Sequence, residues 1–227
     1  MKISEIFYSI QGEGMLAGVP SVFIRTSGCN LRCTWCDTPY TSWMPEGAEM
    51  TVESILDAVR RHGATHAVVT GGEPMLQDEV VTLTQRLKDL GLHVTIETAG
   101  TVFQPVACDL MSISPKLANS TPWEREEGRW GAQHERLRYQ PQVLKKLMSA
   151  CPYQLKFVVS ARDDLQEIEV VLTETNADRN RVILMPEGTD SGVVHERSVW
   201  LVEVCKSAHF RYGPRLHIDL FGNQRGF

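Results

Sequence analysis

The stretch SVFIRTSGCNLRCTWCDT, residues 21–38, joins a short apolar run to three closely spaced cysteines. Residues 21–27 carry the β-branched and aromatic side chains typical of a buried strand. Cys29, Cys33 and Cys36 follow with the spacing C-x3-C-x2-C. Because thiolates are soft ligands for transition metals, this pattern predicts a metal-binding loop at the end of a strand.

The rest of the chain alternates apolar strands with amphipathic helices. Thr51 is positioned to cap one helix, and Gly91 is positioned to end the next. Each of these helices lies between two segments that have the pattern of a strand. The six segments expected to form strands are residues 21–27, 66–70, 93–98, 109–114, 154–160 and 181–188.

This alternation predicts a single α/β domain over residues 1–227, built on a parallel sheet with right-handed crossovers. Six strands are too few to close an eight-stranded barrel. We therefore expect an open, partial TIM-like barrel of six strand–helix units, with shortened helical elements. Ligands of such sheets collect at the carboxyl ends of the strands, and the cysteines and several polar loop motifs all follow predicted strands.

Composition excludes several classes of function. The chain has 227 residues, 42% of them apolar, and a formal charge of −5, so neither a nucleic acid nor a membrane is expected as a partner. Glu5 interrupts the first apolar stretch, which argues against a signal peptide and favours a cytoplasmic location. Outside the loop, Cys108, Cys151 and Cys205 are interpreted as small buried hydrophobic residues.

Residues 117–140 form a long polar stretch, LANSTPWEREEGRWGAQHERLRYQ. The simplest interpretation is a solvated excursion between the fourth predicted strand and the helix that follows it. A lid over the site is the alternative interpretation, because long loops in compact domains are often functional.

The cysteine loop has two interpretations. Structural zinc requires four closed ligands, commonly in paired knuckles, but the chain has no second knuckle and no histidine between Cys36 and His62. An iron–sulfur cluster held by three thiolates, with one iron left open, fits the spacing better. Since an open coordination position indicates catalysis, the cluster is favoured.

With Trp35 before its last cysteine, the loop resembles that of the radical S-adenosylmethionine (SAM) enzymes, and GGEP at residues 71–74 strengthens the resemblance. The resemblance implies a [4Fe–4S] cluster on Cys29, Cys33 and Cys36. The open iron would bind SAM, and one-electron reduction would release a 5′-deoxyadenosyl radical. A flavodoxin- or ferredoxin-like reductant is implied as well.

Several residues are expected to contact SAM on the strength of this resemblance. Gly71 and Gly72 lack side chains, so a ligand can approach their backbone. Glu73 is expected to accept hydrogen bonds from the SAM ammonium. The full set of expected SAM contacts is Trp35, Cys36, Asp37, Gly71, Gly72, Glu73, Glu97, Ser114, Pro115, Lys116, Met185, Pro186, Glu187 and Gly188.

The amino-terminal segment narrows the resemblance. The motif QGEG at residues 11–14, Arg25 and the run at residues 36–38 resemble the 7-carboxy-7-deazaguanine synthases of queuosine and deazapurine biosynthesis, and the likeness extends to the tail at residues 213–227. It implies conversion of 6-carboxy-5,6,7,8-tetrahydropterin to 7-carboxy-7-deazaguanine, by a radical ring contraction with loss of ammonia. It also implies a homodimer.

The residue types suit a pterin. Residues 1–20 are expected to read the substrate and residues 213–227 to close the pocket. Arg25 is expected to pair with the substrate carboxylate, with an internal ion pair as the alternative. Family members use a hydroxyl at the position of Thr38 to bind Mg²⁺, which accepts neutral oxygen ligands. The expected substrate contacts are Ile10, Gln11, Gly12, Glu13, Arg25, Thr70, His217 and Phe227.

Two other functions are distinguishable from this one. A glycyl-radical activase would share the cluster, but it acts on a large protein and has no use for a pterin-reading Gln11 and Glu13. A zinc-stabilised binding module would contain stoichiometric zinc and no inorganic sulfide.

Overall fold

The structure is a computed structural model that describes residues 1–227. Its nine strands are Lys2–Ile10 (β1), Pro20–Thr26 (β2), Ala48–Glu49 (β3), His66–Gly71 (β4), His93–Thr98 (β5), Leu110–Ile113 (β6), Tyr153–Val159 (β7), Val182–Pro186 (β8) and Arg211–Tyr212 (β9). They form one sheet in the order β3-β1-β2-β4-β5-β6-β7-β8-β9. The sheet does not close, because β3 and β9 lie at its two edges.

From β2 to β9, every neighbouring pair of strands is parallel. The six predicted strands correspond to β2, β4, β5, β6, β7 and β8, and the predicted open, partial barrel is confirmed. Because these strands run in the same direction, their carboxyl ends meet at one edge of the sheet.

Strand β1 lies outside the predicted set. It pairs antiparallel with β2, with Ile6 opposite Ile24 and Tyr8 opposite Val22. Its sequence KISEIFYSI mixes charged and apolar residues, and Tyr8 is 47% exposed, so the pattern of a buried strand is absent. Pairing along the whole of β2 defines this strand. The segment before β2 is therefore a strand, Lys2–Ile10, followed by a turn.

The helices are Pro39–Ser42 (α1), Val52–His62 (α2), Val80–Asp89 (α3), Gly131–Arg138 (α4), Pro141–Ala150 (α5), Asp164–Thr175 (α6), Ser191–Ala208 (α7) and Leu216–Phe221 (α8). Thr51 Oγ1 accepts a hydrogen bond from Ser54 N at 3.2 Å, as predicted for the cap of α2. Gly91 follows α3 with φ +77°. No helix joins β5 to β6. No helix combines the length and the apolar character needed to cross a membrane.

The main core lies between the sheet and the helices α2, α3, α5, α6 and α7. Ile55, Leu83 and Leu87 are fully buried on the predicted apolar stripes, and burial of each such side chain contributes about 1.5–3 kcal/mol. Leu90 is 40% exposed because α3 ends before it. The core fixes the helices on one side of the sheet and leaves its carboxyl edge free for a site.

Two of the three remaining cysteines are close neighbours. Cys205 is buried in the main core, as predicted. Cys108 and Cys151, by contrast, are only partly buried, and their Sγ atoms lie 3.1 Å apart. They precede β6 and β7, at the edge of the sheet opposite the cysteine loop.

Candidate active site

One cavity of about 450 Å³ opens at the carboxyl ends of the parallel strands. Its position is the one that the parallel topology favours for a ligand. The structure brings most of the predicted site residues together here. Those that line the cavity are Ile10, Gln11, Gly12, Glu13, Arg25, Cys29, Cys33, Trp35, Cys36, Asp37, Thr38, Thr70, Gly71, Gly72, Glu97, Ser114, Lys116, Met185, His217 and Phe227.

Five predicted SAM contacts do not line the cavity: Glu73, Pro115, Pro186, Glu187 and Gly188. In the loop that follows β8, the Glu187 carboxylate pairs with Arg197 at 2.6 Å. The Gly188 carbonyl accepts a hydrogen bond from Arg215 Nη1 at 2.6 Å. These groups hold the loop in place, and only Met185 of this motif lines the cavity.

Glu73 has internal hydrogen-bond partners that its predicted role does not include. Its side chain is fully buried, and its carboxyl oxygens accept hydrogen bonds from Thr98 Oγ1, Ala99 N and Met75 N at 2.8–3.2 Å. Burial raises the pKa of this carboxyl, and the three hydrogen bonds oppose the rise. The structure thus gives the Glu73 carboxyl internal partners, and its contact with a SAM ammonium stays a prediction. Glu73 ties the turn after β4 to the end of β5.

Gly72 has a packing role that the sequence does not show. A Cβ atom on Gly72 would lie 2.2 Å from the carbonyl oxygen of Gly28 and 2.8 Å from that of Thr41. The neighbouring Glu73 N donates to Gly28 O at 2.9 Å. The turn after β4 is thus pressed against the backbone that leads into the cysteine loop, and only glycine fits there.

The cysteine loop presents three thiols to one end of the cavity. Burial raises the pKa of Cys29 to about 12 and also raises the pKa values of Cys33 and Cys36, so iron binding must displace their protons. No three His, Cys, Asp or Glu side chains surround a position for a single metal ion. This disfavours a closed zinc site, whereas a cluster distributes its thiolate ligands over separate irons. The donor set fits an iron–sulfur cluster.

Residues 117–140 pack against the cysteine loop, so the prediction of a solvated excursion is wrong. His134 on α4 is 1% exposed. Its Nδ1 accepts a hydrogen bond from Arg32 N at 3.1 Å, and its Nε2 lies 2.9 Å from Ser120 Oγ. The Ser120 carbonyl accepts from Thr34 N at 2.8 Å. Together these bonds fix the backbone on both sides of Cys33.

A connected set of charged side chains crosses the cavity. Lys156 Nζ, on β7, donates to Glu97 Oε2 at 2.6 Å and to Glu13 Oε2 at 3.1 Å. Arg215 donates through Nε to Glu13 Oε1 at 3.1 Å and through Nη2 to Asp37 Oδ2 at 2.6 Å. Three carboxylates thus share two cations. The carboxylates are Glu13 in the turn after β1, Glu97 on β5 and Asp37 in the cysteine loop.

These pairings fix the protonation of the site. Burial alone would raise the pKa of Glu13, but Lys156 and Arg215 outweigh it and hold that pKa well below its usual range. Burial would also raise the pKa of Asp37, but the Arg215 guanidinium outweighs burial and lowers that pKa. For Lys156, the two glutamates outweigh burial and raise the pKa of the ammonium. Burial lowers the pKa of His217. Glu13 and Asp37 are therefore ionised hydrogen-bond acceptors beside a neutral histidine.

Arg25 has an internal partner, which was the alternative interpretation. Its Nε donates to Glu5 Oε1 at 2.6 Å across the β1–β2 pair, and both side chains are 16% exposed. Tyr40 OH donates to the same carboxylate oxygen at 2.9 Å. Arg25 nevertheless lines the same cavity as the three cysteines.

The carboxy-terminal tail packs over the amino-terminal turn. Leu216 N donates to Gly12 O at 2.9 Å. A Cβ atom on Gly12 would lie 2.1 Å from His217 Nδ1, so the absent side chain makes room for the imidazole. At the end of the tail, the rings of Phe221 and Phe227 pack with their centroids 5.2 Å apart. Both His217 and Phe227 line the cavity, and their contact with a substrate stays a prediction.

Lys156 and Arg215 are the important site residues outside the predicted set. Lys156 lies in the strand sequence YQLKFVV, where every residue is buried. A lysine in a buried strand rarely stays unpaired, and this signal was available from the sequence. Arg215 follows Pro214 in a polar tail, where nothing local distinguishes it from a surface arginine.

Comparison with known proteins agrees with this geometry. Residues 23–116 match the family model described as the Radical SAM superfamily. A 7-carboxy-7-deazaguanine synthase of Rhodopirellula baltica is 46% identical over 225 residues, covering 99% of this chain and 88% of the relative. The enzyme of the same name from Halobacterium salinarum is 44% identical over 234 residues, covering 98% and 91%.

Solved structures give the same result. The crystal structure of QueE from Escherichia coli has a TM-score of 0.69 and 28% sequence identity, and the match covers 93% of this chain and 92% of that one. SuiB from Streptococcus suis, at 12% identity and a TM-score of 0.55, shares the fold. The likeness to the synthases extends over nearly the whole chain, from β1 to the tail. The chain therefore belongs to the 7-carboxy-7-deazaguanine synthase family, within the radical SAM superfamily.

Proposed function

We propose that this chain is a radical SAM lyase that converts 6-carboxy-5,6,7,8-tetrahydropterin to 7-carboxy-7-deazaguanine, with loss of ammonia. The observation that carries the proposal is a single cavity lined by three thiols at one end and by Gln11, Glu13 and Glu97 elsewhere. The relatives that match over nearly the whole chain are named for synthesis of the same product.

Cys29, Cys33 and Cys36 would hold the [4Fe–4S] cluster. When bound, the cluster and SAM supply a carbon-centred radical that abstracts hydrogen from the substrate. The chain itself excludes water and fixes the orientation of the groups. Lys116 Nζ is held by Ser114, whose carbonyl and hydroxyl oxygens each accept a hydrogen bond at 2.9 Å. This places a cation on the cavity wall for the carboxylate of SAM.

The substrate would lie beside Glu13 and Glu97, which both line the cavity. A pterin edge presents amino and ring N–H donors, and ionised carboxylates are acceptors only. Gln11 is 6% exposed, and its Nε2 donates to Glu97 Oε1 at 3.3 Å, so the amide and the carboxylate are already aligned. His217 and Thr70 complete the polar lining. The terminal N–H groups of Arg25 would contact the substrate carboxylate.

Thr38 is proposed as the protein ligand of Mg²⁺. Thr38 lines the cavity, and its Oγ1 lies 3.4 Å from Asp37 Oδ1. A neutral hydroxyl with a carboxylate nearby suits a cation that keeps several of its waters. The ion would supply a second positive charge for the substrate carboxylate, in addition to that of Arg25.

Two partners are part of the proposal. The cluster needs an electron, which a flavodoxin- or ferredoxin-like protein would supply. The chain would also act as a homodimer, as its resemblance to the family implies. Size-exclusion chromatography with light scattering measures the second point directly, and a mass near 25.5 kDa would contradict it.

The test is anaerobic turnover. The reconstituted protein is incubated with the carboxytetrahydropterin, SAM, Mg²⁺ and a reductant, and 7-carboxy-7-deazaguanine is expected as the product. Unchanged pterin, under conditions in which the same preparation cleaves SAM, refutes the assigned substrate. Cleavage that needs a protein partner and no pterin would favour a glycyl-radical activase instead. Stoichiometric zinc without sulfide would refute radical chemistry altogether.

A further inference from the structure

Lys156 is an unusual residue for the middle of a buried strand. Its side chain is 2% exposed, and it is among the largest fully buried side chains of the chain. A buried ammonium persists only when it is paired and hydrogen-bonded. Here Nζ donates to Glu97 Oε2 at 2.6 Å and to Glu13 Oε2 at 3.1 Å. One cation thus joins two acids that are far apart in the sequence.

Both acids line the cavity and keep capacity for further hydrogen bonds. Glu97 Oε1 accepts from Gln11 Nε2, and Glu13 Oε1 accepts from Arg215 Nε. Each carboxylate oxygen has two lone pairs, so each oxygen retains one acceptor position beyond its recorded bond. Without the ammonium between them, two carboxylates this close would repel, and one of them would take up a proton or turn away.

A protonated carboxyl group forms different hydrogen bonds with a ligand than an ionised one does. The ionised group accepts hydrogen bonds only, whereas the protonated group also donates. The charge state of Glu13 and Glu97 therefore decides whether the cavity prefers N–H donors or carbonyl oxygens on the facing edge of a ligand. In a pterin that edge carries an amino group, and in the corresponding lumazine a carbonyl replaces it.

We propose that Lys156 is a specificity-determining positioning residue, whose ammonium holds the Glu13 and Glu97 carboxylates together as hydrogen-bond acceptors, correctly spaced for the amino-bearing edge of a pterin. This inference rests on the proposed pterin substrate and adds the residue that selects it. Lys156 acts through the two glutamates and has no role in the radical chemistry.

The alternative, a purely structural ion pair, has a counterpart elsewhere in the chain. Lys88 Nζ pairs with both carboxylate oxygens of Asp109 at 2.7 and 2.8 Å, away from the cavity. The two side chains are 33% and 31% exposed. Loss of Lys88 should weaken folding without changing ligand preference, which makes it a matched control for Lys156.

The experiment measures equilibrium binding of two probes, 6-carboxypterin and 6-carboxylumazine, to the cluster-loaded protein with SAM. Fluorescence titration gives both dissociation constants for the wild type and for Lys156→Met, Lys156→Arg and Lys88→Met. We expect the wild type to prefer the pterin by about 100-fold or more, because a mismatched edge leaves buried polar groups unpaired. In Lys156→Met the preference should fall to within about 10-fold, and in Lys88→Met it should stay at the wild-type value.

Lys156→Arg tests whether the positive charge or the shape of the Lys156 side chain sets the ligand preference. It keeps the positive charge, so partial recovery of the preference supports the proposed role. If Lys156→Met does not fold, the double variant Lys156→Met/Glu97→Gln takes its place in the comparison. The double variant removes the Lys156 positive charge and the Glu97 negative charge together. If these variants keep the wild-type preference for 6-carboxypterin over 6-carboxylumazine, the proposed role of Lys156 is overturned, but the proposed substrate is not. A wild type that binds neither probe, or binds both equally, overturns the proposed substrate and this inference with it.

Discussion

His134 makes the cysteine loop sensitive to acid. The ring is 1% exposed, and burial lowers its pKa from 6.5 to about 4. Glu135 opposes this shift, whereas Arg138 and Lys116 add to it. Between those two pH values the unfolded chain binds a proton on this residue and the folded chain does not. The contribution of the neutral His134 to the unfolding free energy is therefore fully present above pH 6.5, and it is lost as the pH falls toward 4.

The magnitude follows from the width of this interval. A shift from 6.5 to about 4 corresponds to about 3 kcal/mol of unfolding free energy, at about 1.4 kcal/mol per pH unit. His134→Gln removes the titration but keeps an amide that can accept from Arg32 N and donate to Ser120 Oγ. Between pH 7 and pH 4, the wild type should lose about 3 kcal/mol more than this variant.

Urea unfolding of the iron-free chain, followed by circular dichroism at several pH values, measures the difference. The carboxylates titrate in both proteins and cancel in the comparison. His62→Gln is the matched control, because His62 is exposed at the end of α2, and it should follow the wild type. Equal pH slopes for the wild type and His134→Gln would show that His134 is not the acid-sensitive group.

Four further substitutions test the site. Cys33→Ala should abolish cluster assembly, seen as loss of iron, sulfide and visible absorbance; retention of a full cluster contradicts the assigned ligands. Thr38→Ala should keep the cluster and lower Mg²⁺-dependent turnover, and an unchanged magnesium response removes Thr38 from the site. Gly72→Ala places a Cβ 2.2 Å from Gly28 O and should cost about 2 kcal/mol or more of stability by urea unfolding, so a neutral result would contradict the packing. Arg215→Met removes the cation that pairs with Asp37 and with Glu13 Oε1, and should lower the unfolding free energy by about 3 kcal/mol. This is the lower end for broken buried pairs, because the Asp37 side chain is 39% exposed. A loss below about 1 kcal/mol would contradict the network.

Local patterns determined much of this protein. The six parallel strands, the caps at Thr51 and Gly91, and the cysteine loop all depend on neighbouring residues, so the sequence predicts them correctly. The placement of loop motifs at the carboxyl edge also follows, because parallel strands share one direction. The position of most cavity-lining residues could be inferred from that rule.

Strand β1 and the segment at residues 117–140 were decided by tertiary contacts. The charged and apolar residues of β1 give no clear period, and its pairing with β2 defines it. In the polar segment, a few buried hydrogen bonds through His134 outweigh the exposed composition. Composition reports the average environment of a stretch and misses single buried side chains.

The charged network depended wholly on the tertiary structure. Lys156 is 143 positions from Glu13, and Arg215 is 178 positions from Asp37. Electrostatic energy depends on distance and burial, neither of which is written in residue order. The sequence alone therefore supplies the thiols, the glycines and the acids, but it does not show that Glu73 has internal hydrogen-bond partners. Only the folded sheet determines which acids meet a cation, and so which of them stay ionised beside a ligand.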